Sequence, residues 1–173
     1  MITKIDTNLP TSTNKKIINT LFTTSLWTHA WDKNSHHNIN NPDSGMALMS
    51  FQNNETQHTP HPILNVYAGV IFDLVQKNSL IKFKTIIRYY WNWYTPSSKG
   101  TQYHTDHEDD NRYSILYNLH TNDGGTIFKV NGKEVFEKSV ESQALVFPSK
   151  IEHKGVAPTK DLHRLNLNII TQI

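Results

Sequence analysis

A chain of 173 residues suits one compact domain. It has no cysteine, which excludes disulfides, thiolate zinc sites, iron–sulfur clusters and a cysteine nucleophile, so any metal must be held by nitrogen and oxygen. The formal charge is +2, with Lys and Arg scattered rather than gathered into the basic stripe of a nucleic-acid binder. Met1–Pro10 has no apolar run that would serve as a signal peptide, and no stretch reaches the ~18 apolar residues of a spanning helix, so the sequence reads as soluble and cytoplasmic.

Taken in chain order, Asn14–Phe22 is predicted to be a helix. Ile17, Ile18, Leu21 and Phe22 fall on one face, with Thr13 or Asn14 as the cap. His29–Asn41 is polar and reads as a loop, Ala47–Phe51 as a short strand, and Gln52–Pro60 as a second loop. Pro62 suits a first helical turn, and Leu64, Tyr67, Val70, Ile71, Leu74 and Val75 recur at helical spacing as far as Lys77-Asn78-Ser79. From residue 81 the pattern changes to strands. Thr85–Tyr94 is dense in β-branched and aromatic residues, and its Trp91 and Trp93 read first as core packing. Strand-like runs follow at Tyr113–Leu119, Thr126–Val130, Glu134–Val140, Ala144–Phe147 and Leu165–Ile170, punctuated by the turn signals Asp123-Gly124-Gly125 and Asn131-Gly132. The expected fold is mainly β, a jelly-roll-like sandwich or barrel with N-terminal helices packed on one side. No linker divides it, so residues 1–173 are expected to form a single domain, 1–80 as helical support and loops and 81–173 as the core.

His104-Thr105-Asp106 follows the polar turn Pro96–Gly100. On a strand, His104 and Asp106 would project to one side and Thr105 to the other. An imidazole and a carboxylate so placed begin a 2-His-1-carboxylate site, the ligand set of non-haem iron oxygenases. His153, after the apolar run Ala144–Phe147, is the candidate third ligand. His107 has the wrong parity to join them, and Glu108-Asp109-Asp110 reads as a solvated loop with Glu108 at a rim. In the last strand Leu165, Leu167 and Ile169 share one face, and Arg164, Asn166 and Asn168 share the other. That polar face either meets solvent or lines the interior of a ligand-holding barrel. His163, beside Arg164, should point the other way. His120 reads as a rim residue or a buried, hydrogen-bonded one.

His104-x-Asp106, then His153, then Arg164, resembles the Fe(II)/2-oxoglutarate dioxygenases, and the prolyl 4-hydroxylase-like branch above all. Tyr94 stands where that family often has a tyrosine upstream of the first motif. Tyr117-Asn118-Leu119 and Gly124-Gly125-Thr126-Ile127-Phe128 match its next strands. The resemblance covers roughly residues 81–173. Three features depart from it: Ser142-Gln143 replaces the usual glycine before the strand leading to the distal histidine, no acidic residue precedes Thr126, and no tryptophan follows the arginine. The resemblance implies a double-stranded β-helix in which His104, Asp106 and His153 bind Fe(II), Arg164 pairs with the distal carboxylate of 2-oxoglutarate, and Tyr94 adds a hydroxyl. It implies C–H hydroxylation with O2, releasing succinate and CO2, on a peptidyl proline, another protein side chain or a small metabolite. A nucleic-acid substrate is disfavoured, because the second arginine of that branch is replaced by Ile170. The competing readings are a cupin-like metal protein, which would use another His at position 106 and need no Arg164, and a non-catalytic jelly roll.

Overall fold

The computed structural model describes residues 1–29, 45–52, 61–98 and 100–173. Among these residues ten strands and two helices follow in the order β1 (Thr3–Asp6), α1 (Thr11–Thr23), β2 (Thr28–His29), β3 (Met46–Gln52), α2 (Pro62–Asn78), β4 (Thr85–Tyr94), β5 (Arg112–Asn118), β6 (Gly125–Val130), β7 (Lys133–Lys138), β8 (Gln143–Pro148), β9 (His153–Val156) and β10 (Arg164–Gln172). The strands form two antiparallel sheets. The larger runs β1-β8-β5-β10-β4-β3-β2 and the smaller β7-β6-β9. The N-terminal segment thus supplies three strands as well as helices. The loop readings over 30–41 and 53–60, with His36, His37 and His58, lie outside the described residues.

Helix α1 begins at Thr11, directly after Pro10, without a side-chain cap. Asn14 is not a cap. It is buried inside the helix, where its Nδ2 donates to Ser142 Oγ and its Oδ1 accepts from Tyr117 Oη, so tertiary bonding claims the amide that a cap would have used. Helix α2 starts at Pro62, as its fixed φ favours. Its buried row is Leu64, Ala68, Ile71 and Val75, at i, i+4, i+7 and i+11, whereas Val70 faces outward.

Each long strand of the large sheet has two different faces. Leu165, Leu167 and Ile169 of β10 and Trp91 of β4 enter the main core with Leu64, Ala68, Ile71 and Val75 of α2 and Ile17 and Leu21 of α1. The helices therefore cover one face of the sheet. The other face meets the small sheet, and Leu116, Phe128, Leu145 and Phe147 form a second cluster between the sheets. Arg164, Asn166 and Asn168 are buried on this inner face. The interior reading of β10 holds, because helices take its apolar face and leave the polar face to the barrel.

Two turns show local chemistry overriding or obeying the chain. Asn131 and Gly132 join β6 to β7 with φ of 51° and 73°, the paired positive angles that a two-residue hairpin requires. Ser142 has φ of 61°, a left-handed conformation that favours glycine. The serine is held there by its backbone N–H donating to Asn118 O, by its hydroxyl donating to Leu9 O, and by the Thr7 hydroxyl donating to its carbonyl. Serine stands here in place of the expected glycine, and these three bonds hold it in a backbone conformation that glycine adopts more readily.

Candidate metal centre

His104 lies on no strand. It forms an isolated bridge with His153, each backbone N–H donating to the other's carbonyl at 2.9 Å. Two residues on, the Asp106 N–H donates to Ser149 O at 2.9 Å. These bonds, rather than strand parity, fix the motif. Thr105 accordingly does not face out but lines the cavity, while His107 turns away to accept from the Asp109 N–H. Glu108 is exposed and takes a bond from the Thr105 hydroxyl.

Among the described residues, His104, Asp106 and His153 are the group whose ligating atoms all lie within 4.8 Å of one another. The Nε2 atoms of His104 and His153 stand 3.9 and 3.6 Å from the Asp106 oxygens. Their Nδ1 atoms lie 2.8 Å from the carbonyls of Gln102 and Ile151 respectively. A carbonyl can only accept, so each Nδ1 carries the proton and each Nε2 lone pair points toward the carboxylate. Two neutral imidazoles and one carboxylate on one side of a cavity fit a divalent iron with open positions.

Electrostatics favour the ligating forms of Asp106 and His153. Burial works against the Asp106 charge, but His153, His104, the Ser114 hydroxyl and Arg88 together hold its carboxyl below the ordinary value. Ser114 Oγ donates to Asp106 Oδ2 at 2.6 Å and lies 2.9 Å from Ser149 Oγ. Burial pulls the His153 pKa down against the opposing pull of Asp106, with His104 and Arg164 adding to the burial effect, which favours the neutral, ligating ring.

The cavity beside the three residues has a volume of about 380 Å³. Arg88, Tyr90, Asn92 and Tyr94, alternate residues of β4, form one wall, and Thr101, Thr126 and Gly155 line the cavity as well. The aromatic strand thus divides by parity. Trp91 enters the core and Trp93 packs on Phe22, Trp27 and His163, whereas Tyr90 and Tyr94 face the cavity. His163 points outward, as parity required, and accepts from Trp93 Nε1. His120 is hydrogen-bonded to the His163 carbonyl at 2.8 Å.

Arg164 is 1% exposed and sits behind Tyr94, Thr126 and Gly155 rather than on the cavity surface. Its Nε donates to Ser139 Oγ at 3.0 Å, its Nη2 to Thr126 Oγ1 at 2.9 Å and its Nη1 to Val156 O at 3.3 Å. The Tyr94 ring lies 5.0 Å from its Cζ. No acidic side chain among the described residues is within ion-pair distance, which removes the surface salt bridge as an explanation. Burial lowers its pKa, and a guanidinium so placed favours an anionic partner. Gly155 keeps the way open: a Cβ there would stand 2.6 Å from Tyr94 Oη and 3.3 Å from Arg164 Nη1.

Sequence reasoning missed Arg88, Tyr90, Ser114, Thr126 and Ser139. Arg88 and Tyr90 share the parity of Tyr94 on β4, a signal that was present. Thr126 stood in the matched segment Gly124–Phe128 without an assigned role, and Ser114 and Ser139 carry no pattern, because only the pairing of distant strands brings them to Asp106 or Arg164.

The fold is the double-stranded β-helix, the jelly roll of the 2-oxoglutarate oxygenases. It is similar to a prolyl-4-hydroxylase from Pseudomonas putida, with a TM-score of 0.67 and 12% identity over 99% of this chain and 92% of that one. It is also similar to a prolyl hydroxylase from Trichoplax adhaerens in complex with a hypoxia inducible factor peptide fragment (TM-score 0.70, 14% identity, 99% and 83% covered). A third is the epimerase SnoN in complex with Fe3+, alpha ketoglutarate and nogalamycin RO (TM-score 0.71, 9% identity, 99% and 78% covered). No protein-family model matches the sequence, and no curated protein matches it. Among the described residues no helix is long and apolar enough to cross a membrane.

Proposed function

We propose that this chain is an Fe(II)- and 2-oxoglutarate-dependent oxygenase that hydroxylates a substrate C–H bond. The observation that carries the reading is the joint placement of two carbonyl-fixed histidines and a buried carboxylate on one cavity, with a buried guanidinium behind its wall that has no acidic partner among the described residues. A cupin-like metal site would explain the first three and leave Arg164 without a purpose.

His104, Asp106 and His153 would hold the iron through Nε2, a carboxylate oxygen and Nε2. Iron with 2-oxoglutarate and O2 supplies the oxidising chemistry when bound, with succinate and CO2 as products. Arg164 would receive the distal carboxylate of the cosubstrate, for which a planar guanidinium offers a bidentate, charge-assisted contact. Three hydrogen bonds already fix that guanidinium, so little freedom is lost on binding. The Tyr94 ring lies beside that guanidinium, and its hydroxyl would donate to the same carboxylate. Ser114 and Asn168 orient the Asp106 carboxylate. We read residues 1–173 as one domain, in which the helices of 1–80 cover the outer face of the core formed by 81–173.

The test is an anaerobic Fe(II) titration with and without 2-oxoglutarate, following the weak visible charge-transfer band of the iron–cosubstrate chelate. The band is expected in the wild type and absent from His104→Ala and Asp106→Ala, which should remain folded. Stoichiometric iron in both variants would sink the ligand assignment. Iron binding without the band would make a cupin-like protein the better account.

A further inference from the structure

The cavity holds one more cation than a cosubstrate requires. Arg88 and Tyr94 lie on the same face of β4, and across the ladder they pair with Ile170 and Arg164 of β10. At ~3.3 Å per residue, Arg88 and Arg164 mark opposite ends of this face, roughly 20 Å apart along the strands. Asp106 lies toward the Arg88 end: Arg88 Nη2 is 3.9 Å from its Oδ1, and Asn168 Nδ2 is 3.4 Å from its Oδ2. A cosubstrate reaching from the triad to Arg164 therefore leaves Arg88 on the other side.

Arg88 is not satisfied by its surroundings. Its Nε is buried and has no hydrogen-bond partner. Asp106 is its acidic neighbour among the described residues, but 3.9 Å is beyond hydrogen-bond reach, and Ser114 already serves that carboxylate at 2.6 Å. The Tyr90 ring supports the guanidinium, with Cζ 5.2 Å from the ring centre. A guanidinium held by stacking, with donors unspent, is built to take an oxyanion. A second unsatisfied atom lies nearby. Asn168 is 5% exposed and lines the same cavity, and while its Nδ2 donates to Tyr90 Oη and Asp106, its buried Oδ1 has no partner. An unpaired donor group and an unpaired acceptor thus line one cavity, with Asn168 pairing with Tyr90, two residues along β4 from Arg88.

We infer that the substrate is a free α-amino acid, its carboxylate on Arg88 and its ammonium on Asn168 Oδ1. This rests on the oxygenase reading above. Arg88 lies so close to Asp106 that the carbon presented to the triad is within a few bonds of the carboxyl group, as in a small molecule. A cavity of about 380 Å³ shared with 2-oxoglutarate favours the same size class. The reaction balances: one atom of O2 converts the substrate C–H to C–OH, and the other enters succinate as 2-oxoglutarate loses CO2.

The experiment uses 15N-labelled protein loaded with Zn(II), which is diamagnetic and redox-inert. The Nε–H signal of Arg88 is assigned by its loss in Arg88→Lys. The free L-amino acids and their α-carboxamides are titrated singly, and N-oxalylglycine, a non-reacting analogue of 2-oxoglutarate, is titrated separately. At least one free amino acid is expected to shift the Arg88 signal while its carboxamide does not. It should bind Arg88→Gln at least about tenfold more weakly, with N-oxalylglycine affinity held within about twofold. Should Arg88→Gln fail to fold, Arg88→Lys, which keeps the charge but loses the fork, is expected to show the same selective weakening. The inference is overturned if no amino acid moves the signal, if acid and amide bind alike, or if the Arg88 variants bind the acid as the wild type does. It also falls if Arg88→Gln loses zinc, which would make Arg88 a support for Asp106. Failure of N-oxalylglycine to bind the wild type counts instead against the oxygenase reading, which keeps the two distinguishable.

Discussion

Replacing Arg164 by methionine should separate ligand binding from stability, because the two effects have different origins. Arginine has five N–H donors. Ser139, Val156 and Thr126 occupy three of them, leaving two for a bound carboxylate. Two charge-assisted bonds at ~1.5–3 kcal/mol each amount to about 3–6 kcal/mol. At ~1.4 kcal/mol per tenfold, that is roughly a 10²- to 10⁴-fold loss of 2-oxoglutarate affinity. The ligand-free protein should change little. The variant leaves the Ser139 and Thr126 hydroxyls and the Val156 carbonyl without their guanidinium, but it also removes the cost of burying a cation that has no acidic partner among the described residues, and the two effects offset each other. Calorimetric titration of 2-oxoglutarate into anaerobic metal-loaded protein gives the first quantity, and thermal unfolding of the ligand-free protein gives the second. A cosubstrate affinity within about threefold of wild type would refute the anchoring role. A collapse of the ligand-free protein would show that Arg164 is needed to fold.

Three further expectations follow from the geometry. Ser114→Ala removes the 2.6 Å bond to Asp106 and should weaken iron binding by ~10- to 100-fold with the fold intact, as measured against a competing chelator. Gly155→Ala drives a Cβ against Tyr94 Oη and Arg164 Nη1, so 2-oxoglutarate affinity should fall at least about tenfold while iron affinity, read in the same titration, is retained. Asp123 accepts bonds from the Thr159 hydroxyl and from the backbone N–H groups of Thr159, Lys160 and Asp161, led by the hydroxyl, and these hold its carboxyl far below the ordinary value. A depressed carboxyl stabilises the fold above the unfolded pKa of ~3.9 and loses that contribution as pH falls through the folded value. Asp123→Ala should therefore unfold more easily than wild type at pH 7, and denaturation curves for the two should converge in strong acid. A difference independent of pH would reject the charged contacts as its cause.

The sequence by itself determined what depends on near neighbours. Pro62 opens α2, Thr85–Tyr94 is β4 to the residue, and Asn131-Gly132 turns a hairpin, because backbone preference and side-chain period act over a few residues. The motif residues His104, Asp106, His153 and Arg164 were also legible, since their order along the chain is a pattern in its own right. The short strands β1, β2 and β9 were not, because each is made by the partner it pairs with rather than by its own composition. Asn14 could pass for a cap until Ser142 and Tyr117 were seen to bond it. The shape of the candidate metal motif was likewise a tertiary matter: His104 and Asp106 are held by His153 and Ser149, not by a strand of their own. Arg88 is the clearest case. Its parity with Tyr94 was readable, but whether a strand residue meets open solvent or lines a cavity is decided by what packs on each face. Here the helices claimed one face and left the other to enclose polar groups, since buried charge is tolerated only where it can find a partner.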